Sequence, residues 1–325
     1  MHVLFIGGTG NISTDCAAVL AARGHEITVV TRGNKDVPDG YHKIVADRND
    51  PVAYKGALTA LSPDVVIDFV AFRPEQLKPH LEMFAGKIKQ LVFISSATVY
   101  AKPHPVPVTE DAELGNTWSG YAQNKEKCEE WLAAHCSKLP YTIVRPSHTY
   151  SRRWLPNVVT SAGFTFAQRL LDGKPVFVPD DGQALWTLTT TRDFAQGFAG
   201  LVGNEAALGE AFHITNDCPL TWNQIYFEIA RALGAAELTI ENIPTDFICE
   251  VDPRMSAKLR GDKSHAAIFD NAKIKRFVPE FECRDSIRAG LAMSVKWFDE
   301  HPDQKTVDPN VDATWDHIIE AWEKR

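Results

Sequence analysis

The chain lacks the features that mark metalloenzymes, membrane-spanning proteins and disulfide-rich secreted proteins. Its six cysteines form no Cys-x-x-Cys pair, its histidines do not pair at zinc-ligand spacing, and there is no His-Glu-x-x-His. We therefore expect reduced thiols used in packing and no metal site. No apolar run approaches the roughly 18–20 residues that span a bilayer, and the chain opens on a strand-like run without a signal-peptide pattern. These absences predict a cytoplasmic protein with no membrane partner.

The chain also lacks an excess of basic charge. Lys and Arg number 34 against 42 Asp and Glu, which gives a formal net charge of -8. A broad electrostatic grip on nucleic acid is therefore not expected. With 325 residues and 44% hydrophobic content, the chain can build a large core.

Short apolar runs alternate with helix-like segments through the first half of the chain. Because such alternation is typical of βαβ units, it predicts an α/β fold with a doubly wound parallel sheet and helices on both faces. The predicted strands are residues 3–6, 27–30, 43–46, 65–69, 91–95 and 142–144.

After about residue 150 this rhythm changes, which predicts a second unit. We expect residues 1–150 to form a dinucleotide-binding domain, to which 185–215 return, and 151–325 to form mainly a smaller substrate-binding lobe with C-terminal helices. Near the end, Trp315, Ile318, Ile319 and Trp322 fall on one helical face. That face either packs on the body or forms a subunit interface, so a homodimer is possible.

A glycine-rich loop follows the first predicted strand and precedes a predicted helix at 14–22. Glycines let the backbone turn tightly and approach a pyrophosphate, while the helix N-terminus offers free N–H groups. Serine stands where a third glycine is usual, at position 13. The predicted phosphate-binding residues are Gly7, Gly8, Thr9, Gly10, Asn11 and Ile12.

The end of the second strand carries Thr31 and Arg32, where a carboxylate would grip the adenosine ribose of NAD. An arginine there can pair with the 2'-phosphate of NADP, so the sequence favours NADP over NAD. Alternatively, Arg32 stacks on adenine or faces solvent. Asp47, after the third strand, can accept a hydrogen bond from the adenine amino group or be an exposed strand-end residue.

Hydroxyl, phenol and amine side chains follow in an order that suggests hydride-transfer chemistry. Ser96 and Thr98 lie at the end of the fifth strand, and Tyr121 and Lys125 stand four residues apart on a predicted helix. Since such residues share a helix face, we expect Lys125 to lower the pKa of Tyr121 and make it usable as a base. A strand-end hydroxyl would bind the substrate oxygen.

Together these motifs resemble the extended short-chain dehydrogenase/reductase family, which includes nucleotide-sugar epimerases and dehydratases. The resemblance covers the glycine loop, residues 95–100, residues 121–125 and residues 145–150, and extends more weakly to 270–273. It implies a Rossmann domain, a lobe that closes over the substrate, and Tyr121 as base with Ser96 the favoured hydroxyl and Thr98 its helper. It also implies further cofactor contacts at Phe69, Val70, Ala71, Ser95, Tyr121, Lys125, Pro146 and His148.

The lobe departs from the nucleotide-sugar pattern of that family. His148 replaces a usual asparagine, Trp186 stands near a usual arginine, and the Arg-x-Gly-Asp element is present only as residues 260–262. His148 and Arg260 can still bind an anion, and Trp154 and Trp186 can form a flat wall for a sugar, although surface or packing roles remain open. The chain is also similar to a divergent branch that includes chloroplast stem-loop-binding proteins.

Three functions remain open at this stage. The first is an NAD(P)-dependent epimerase or dehydratase that acts on a sugar or nucleotide-sugar by transient hydride transfer. The second is an NADPH-dependent ketoreductase or dehydrogenase on a small carbonyl compound or sugar, which Arg32 favours. The third is a nucleotide-binding, RNA-associated protein.

Overall fold

The computed structural model describes residues 1–160 and 162–325. Strands are short and mostly buried in the first half, where runs such as Val3–Ile6 are apolar on both faces, as a covered parallel sheet requires. The strands of the described residues are β1 (His2–Ile6), β2 (Glu26–Thr31), β3 (His42–Val45), β4 (Val65–Asp68), β5 (Gln90–Ile94), β6 (Tyr141–Val144), β7 (His148–Tyr150), β8 (Val176–Pro179), β9 (Leu185–Trp186), β10 (Leu188–Thr190), β11 (Ala211–Phe212), β12 (Leu220–Thr221) and β13 (Ile240–Ile243).

The helices connect the sheet strands and build most of the second half. The helix α9 runs directly into a π-helical turn at Leu259–Lys263. The α-helices of the described residues are α1 (Ser13–Ala22), α2 (Pro51–Leu58), α3 (Lys78–Phe84), α4 (Gly120–Ala134), α5 (Thr165–Leu171), α6 (Thr191–Leu201), α7 (Trp222–Leu233), α8 (Thr245–Val251), α9 (Ser256–Lys258), α10 (Ala272–Phe277), α11 (Ile287–Glu300) and α12 (Pro309–Glu323).

The main sheet has the strand order β11-β6-β5-β4-β1-β2-β3, and all its pairings are parallel. Helices α1 and α6 cover one face, while α2, α3 and α4 cover the other, each over its own apolar cluster. The predicted doubly wound α/β fold is confirmed. The segment 185–215 contributes α6 to one face and β11 to the sheet edge.

A third apolar cluster forms the core of the second half of the chain. Trp315, Ile318 and Ile319 of α12 are buried in it, and the Trp315 ring lies 4.6 Å from that of Phe177 between centroids. The apolar face of the last helix therefore packs on the body. Among residues 1–160 and 162–325, no helix is long and apolar enough to cross a membrane.

Candidate cofactor and active site

Two adjoining clefts lie at the carboxyl edge of the parallel sheet, where open α/β sheets bind ligands. The first, the β2–β3 cleft, has a volume of about 460 Å³ and is lined by Ile6, Gly7, Thr9, Gly10, Val30, Thr31, Arg32, Asn34, Lys35, Ala46, Asp47, Arg48, Asn49, Tyr54, Val70, Phe72 and Gln76. The second, the central cleft, has a volume of about 700 Å³. It is lined by Gly7, Gly10, Asn11, Ile12, Ser13, Phe69, Val70, Phe72, Ile94, Ser95, Ser96, Ala97, Thr98, Ser119, Tyr121, Lys125, Pro146, Ser147, His148, Thr149, Trp154, Val159, Thr160, Ala162, Trp186, Ala257, Lys258, Asp262 and Lys263.

The glycine loop joins the two clefts and is held by the first residue of α1. The Ser13 hydroxyl donates to the Gly7 carbonyl at 2.8 Å and accepts from the Gly10 N–H at 2.8 Å. Gly7 has a φ of +87°, and a Cβ there would lie 2.5 Å from Cγ1 of Val70. Only glycine fits this turn without strain, because the side chain is excluded by both conformation and packing. The serine at position 13 therefore fastens the loop.

The loop fits the phosphates of a dinucleotide. Gly7 and Gly10 line both clefts, and the ten-residue helix α1 begins directly behind them, so that the partial positive charge of its N-terminus lies at the loop. Asn11 also lines the central cleft, and its buried Oδ1 has no hydrogen-bond partner among the described residues. Gly8 is different, since a Cβ there would meet Val29 at 2.9 Å. Gly8 is required for packing against the sheet and does not line either cleft, contrary to the predicted cofactor contact.

Two cationic side chains line the β2–β3 cleft where the second strand ends, at what we call the far end of this cleft. Arg32 and Lys35 both line it, and the Lys35 ammonium donates to the Thr9 carbonyl at 3.3 Å. Thr31 occupies the strand end itself. Asp47 lies across the cleft after β3, where one carboxylate oxygen accepts from the Asn49 N–H at 2.9 Å.

The loop after β4 is shaped by a buried carboxylate. Asp68 accepts from the Val70 and Ala71 N–H groups, each at 2.8 Å, and from the Arg48 guanidinium at 2.9 Å. Despite burial, which alone would raise it, the pKa of Asp68 is lowered by Arg48, His80 and these N–H groups. Phe69 and Val70 line the central cleft, whereas Ala71 is fully buried and lines neither, contrary to its predicted cofactor contact.

The two predicted hydroxyls at the end of β5 are close together. Ser96 caps a short 3-10 turn, and its Oγ accepts from the Thr98 hydroxyl at 2.8 Å and from the Thr98 N–H at 3.2 Å. Both residues line the central cleft with Tyr121 and Lys125. The structure therefore brings together all four residues that the sequence proposes for catalysis.

The expected effect of Lys125 on Tyr121 is wrong. Burial raises the pKa of Tyr121, the charge of Asp262 raises it further, and only the nearby Ser96 hydroxyl acts in the opposite direction. The Lys125 ammonium instead donates to the carbonyls of Ala71 at 2.8 Å and Ile94 at 2.6 Å. Its burial lowers the pKa of Lys125 to about 8.

A buried network behind the active site was not predicted. It fixes α4, the helix that carries Tyr121 and Lys125, to the strands β5 and β6. The Arg145 guanidinium donates to both Glu129 carboxylate oxygens, at 2.6 to 3.2 Å, and to the Tyr100 hydroxyl at 2.8 Å. Ser95 donates its hydroxyl to Glu129 as well. Ser95 thus lines the cleft but its side chain serves to position α4.

The residues from His148 onward line one part of the central cleft, which we call its outer half. This part is aromatic and contains lysine. Trp154 and Trp186, which the sequence suggests as a substrate wall, line it together with His148, and the His148 and Trp186 rings meet edge to face at 5.8 Å. The Lys263 ammonium lies 5.1 Å above the Trp186 ring and 3.4 Å from Nδ1 of His148. Burial and the charge of Lys263 hold the pKa of His148 well below its usual range, so this imidazole is neutral.

Arg260 does not line the central cleft, contrary to its predicted role in substrate binding. Its guanidinium pairs with Asp246 at 2.8 Å and lies over the Trp118 ring at 5.3 Å. Arg153 likewise lies over Trp297, away from the cleft. The polar side chains that the same turn does bring to the cleft are Asp262 and Lys263.

Several cleft residues escaped sequence reasoning for a common reason. They lie within eight positions of a predicted site residue, before or after it, so only the folded loop shows that they face the cleft. Lys35 follows the Thr31-Arg32 pair, and Asp262 and Lys263 follow Arg260. Cleft residues for which the sequence predicts no site role include Asn34, Lys35, Arg48, Asn49, Tyr54, Phe72, Gln76, Ser119, Val159, Thr160, Ala162, Ala257, Lys258, Asp262 and Lys263.

Comparison with known proteins agrees with this geometry. The chain is 28% identical over 292 residues to the 2'-dehydrokanamycin reductase of Streptomyces kanamyceticus, an alignment that covers 87% of this chain and 81% of that protein. It is 27% identical over 296 residues to the chloroplast stem-loop binding protein of 41 kDa b of Arabidopsis thaliana, covering 86% and 75% of the two chains. The fold matches the solved structure of an epimerase from Methanothermobacter thermautotrophicus with a TM-score of 0.75 and 17% identity, over 93% of each chain.

Residues 3–215 match the NAD dependent epimerase/dehydratase family, which is about two thirds of the chain. The predicted family resemblance is confirmed, and with it the NAD(P)-dependent enzyme class. The matched residues include the glycine loop and the Ser96, Tyr121 and Lys125 side chains that line the central cleft. The chain therefore belongs to the NAD dependent epimerase/dehydratase family.

Proposed function

We propose that this protein is an NADP(H)-dependent reductase that transfers hydride to the carbonyl group of a sugar or a sugar-like compound. The observation that carries this proposal is the charge at the end of β2. Arg32 and Lys35 line the β2–β3 cleft there, and the strand end offers a threonine instead of a carboxylate. Two cations attract the 2'-phosphate that distinguishes NADP from NAD, whereas a carboxylate would repel it. Reductases that consume their cofactor draw more often on NADPH.

The state of Tyr121 suits an acid better than a base. A phenol at its usual pKa of about 10 already carries a proton at neutral pH, and burial raises the pKa of Tyr121 further. A bound nicotinamide would supply hydride to the carbonyl carbon. Tyr121 would then donate its phenolic proton to the carbonyl oxygen, whose developing negative charge is the group that must be neutralised.

The neighbouring residues would position that proton transfer. Ser96 already accepts from Thr98, so its own hydroxyl hydrogen is available to hold the carbonyl oxygen beside Tyr121. The Lys125 ammonium lies under the Tyr121 ring, with 5.8 Å between its nitrogen and the ring centroid.

Turnover of NADPH tests this function. The purified protein, mixed with NADPH and a panel of oxidised sugars, should show a steady fall of the reduced-nicotinamide absorbance with at least one of them. The substitution Tyr121→Phe should abolish that fall while leaving NADPH binding intact. Formation of a sugar isomer with no net change in absorbance would contradict the proposal.

The second candidate is an epimerase or dehydratase that returns the hydride to the same substrate, including a nucleotide-sugar. The family match and the shared Ser96, Tyr121 and Lys125 set favour it. Such enzymes keep their cofactor in one net oxidation state. Denaturing the freshly purified protein and identifying the released nucleotide separates the two candidates, since tightly retained NAD would favour the epimerase.

An RNA-associated role is a weaker candidate, supported by the similarity to the chloroplast stem-loop binding protein. The net charge of -8 and the complete Ser96, Tyr121 and Lys125 set weigh against it. A cellular phenotype that survives Tyr121→Phe would favour it. A cytoplasmic location and a homodimer remain predictions from the sequence.

A further inference from the structure

The π-helical turn Leu259–Lys263 places a carboxylate in the outer half of the central cleft. Turns of this kind, with one extra residue per turn, occur often at functional sites because they redirect side chains that an α-helix would turn elsewhere. Here Arg260 faces outward to Asp246, while Asp262 and Lys263 line the cleft. The turn therefore presents an acidic group to the substrate side.

No side chain or backbone group of residues 1–160 and 162–325 gives this carboxylate a hydrogen bond or an ion pair. The cleft lysines are engaged elsewhere, because Lys258 donates to the Val159 carbonyl at 2.7 Å and Lys263 lies against His148 and the Trp186 ring. Burial accordingly raises the pKa of Asp262, and the charges of Lys263, Lys102 and His265 compensate only in part. Asp262 is only partly exposed to solvent, and carboxylates removed from water normally have hydrogen-bond donors.

The same carboxylate lies within electrostatic reach of the catalytic phenol. Its charge is one of the causes that raise the pKa of Tyr121, and both residues line the central cleft. A substrate held beside Tyr121 would therefore come close to Asp262. No arginine lines this cleft in the part of the chain that the structure describes, so the guanidinium groups that suit a diphosphate are missing.

We propose that Asp262 binds the substrate, accepting hydrogen bonds from hydroxyl or ammonium groups of a sugar that carries no diphosphate. The inference rests on the proposed function, in which the central cleft holds a sugar. A carboxylate accepts strongly from O–H and N–H donors, and the described residues of this cleft include no arginine to bind a diphosphate in a bidentate way. Trp154 and Trp186 would supply the apolar wall for the ring face.

Sugar binding to the NADP⁺-loaded protein, followed by tryptophan fluorescence, tests this role. The probes are methyl glucoside, which offers hydroxyl groups only, glucosamine, which adds an ammonium group, and UDP-glucose. We expect a sugar without diphosphate to bind more tightly than UDP-glucose. Asp262→Asn should weaken that binding by about tenfold or more, because a charge-assisted hydrogen bond is lost. A larger loss for glucosamine than for methyl glucoside identifies the ammonium group as the partner.

Controls separate this inference from the proposed function. Asp262→Asn preserves the shape of the side chain and removes an unpaired charge, so thermal unfolding should occur at the same or a higher temperature. Glu250→Gln, an exposed carboxylate on α8, should change nothing. Equal sugar affinities of the wild type and Asp262→Asn, no binding of either simple sugar, or a preference for UDP-glucose would overturn the role of Asp262. Failure to bind NADP⁺, measured on the same samples, would instead overturn the proposed cofactor.

Discussion

Asp68 and Asp262 are carboxylates in different settings. Asp68, in the sheet half of the protein, is fully buried, whereas Asp262, in the lobe, is partly exposed and lines the central cleft. Asp68 receives two backbone N–H groups and a guanidinium, and its pKa is lowered. Asp262 receives no hydrogen bond from the described residues, and burial raises its pKa. The sheet half thus provides hydrogen-bond donors for its buried charge and fixes a loop, while the carboxylate of the lobe lines the cleft without a donor from the described residues.

This contrast separates two uses of burial. A fully bonded buried charge holds the surrounding backbone in one arrangement, and removing one partner is costly because the other is left unpaired. A charge that lacks hydrogen bonds lowers the stability of the free protein. A ligand that supplies the missing donors restores that stability when it binds. We therefore expect substitutions in the sheet half to disturb the fold, and the substitution of Asp262 to disturb binding.

Tyr121, the proposed proton donor, should show the largest effect on turnover. Tyr121→Phe removes the phenolic proton and should lower kcat by roughly 100- to 10,000-fold, the usual range for a general acid. NADPH binding should change little, since the glycine loop is untouched. Steady-state kinetics and calorimetry measure the two effects. Tyr41→Phe, which lies outside both clefts, is the matched control, and an equal loss in the two variants would contradict the acid role.

The bonded network of the sheet half should be the most sensitive to loss of one partner. Glu129→Ala leaves the Arg145 guanidinium buried without its carboxylate and should cost about 3–5 kcal/mol of unfolding free energy. Urea unfolding followed by circular dichroism measures this cost. Glu130→Ala, exposed on the same helix, should cost less than about 0.5 kcal/mol. Similar losses of unfolding free energy in Glu129→Ala and Glu130→Ala would contradict the contrast between bonded and unbonded carboxylates.

Lys125 tests whether a charge used for catalysis can cost stability within the sheet half. Its pKa of about 8 lies below the usual 10.5, so the buried ammonium destabilises the folded protein at lower pH. Between about pH 8 and 10.5 the unfolded chain binds more protons, and the stability contributed by this group rises with pH. Lys125→Met should therefore be at least as stable as the wild type at pH 7, with a gain in unfolding free energy of up to about 3 kcal/mol. Its turnover should be abolished, because the proposed catalytic amine is gone.

Unfolding of Lys125→Met and the wild type at pH 7 and pH 9 measures this effect. The difference in stability between them should shrink at the higher pH, where the wild-type amine loses its proton. Lys127→Met, exposed on the same helix, should show no such pH dependence. A Lys125→Met protein that is much less stable at pH 7 would show that the bonds to Ala71 and Ile94 outweigh the cost of burying the charge.

The smallest expected effect is at the far end of the β2–β3 cleft, which is open to solvent. Arg32→Ala should weaken NADPH binding by about tenfold, or roughly 1.4 kcal/mol, and leave NADH binding unchanged, because only NADPH carries the 2'-phosphate. Titration calorimetry with both nucleotides measures the ratio. Arg284→Ala, on an exposed loop of the lobe, is the control. An equal loss for both nucleotides would mean that Arg32 stacks on adenine.

The sequence predicts the sheet half well and the lobe poorly, for a physical reason. Parallel strands and a glycine loop are local patterns, so the fold, the loop at Gly7 and Gly10 and the four candidate catalytic residues that line one cleft could be located from spacing. Side-chain direction within an irregular turn is set by packing across the chain. Arg260 therefore suggested a substrate contact, whereas the π-helical turn sends it outward and presents Asp262.

The error over Tyr121 has a similar origin. The four-residue spacing correctly places Lys125 on the same helix face, but its ammonium is held by carbonyl groups of the loop after β4 and of β5, far away in sequence. The same holds for the Glu129 and Arg145 pair, which links α4 to β6. Polar partners that come from distant segments leave no signal in a local motif.

The central claim is that the β2–β3 cleft binds NADP(H) and that the protein uses this cofactor to reduce a sugar carbonyl. Its most direct test is titration calorimetry of the wild-type protein with NADPH and with NADH under the same conditions. The account predicts that NADPH binds at least about tenfold more tightly, through Arg32 and Lys35. Equal affinities, or tighter binding of NADH, would contradict it.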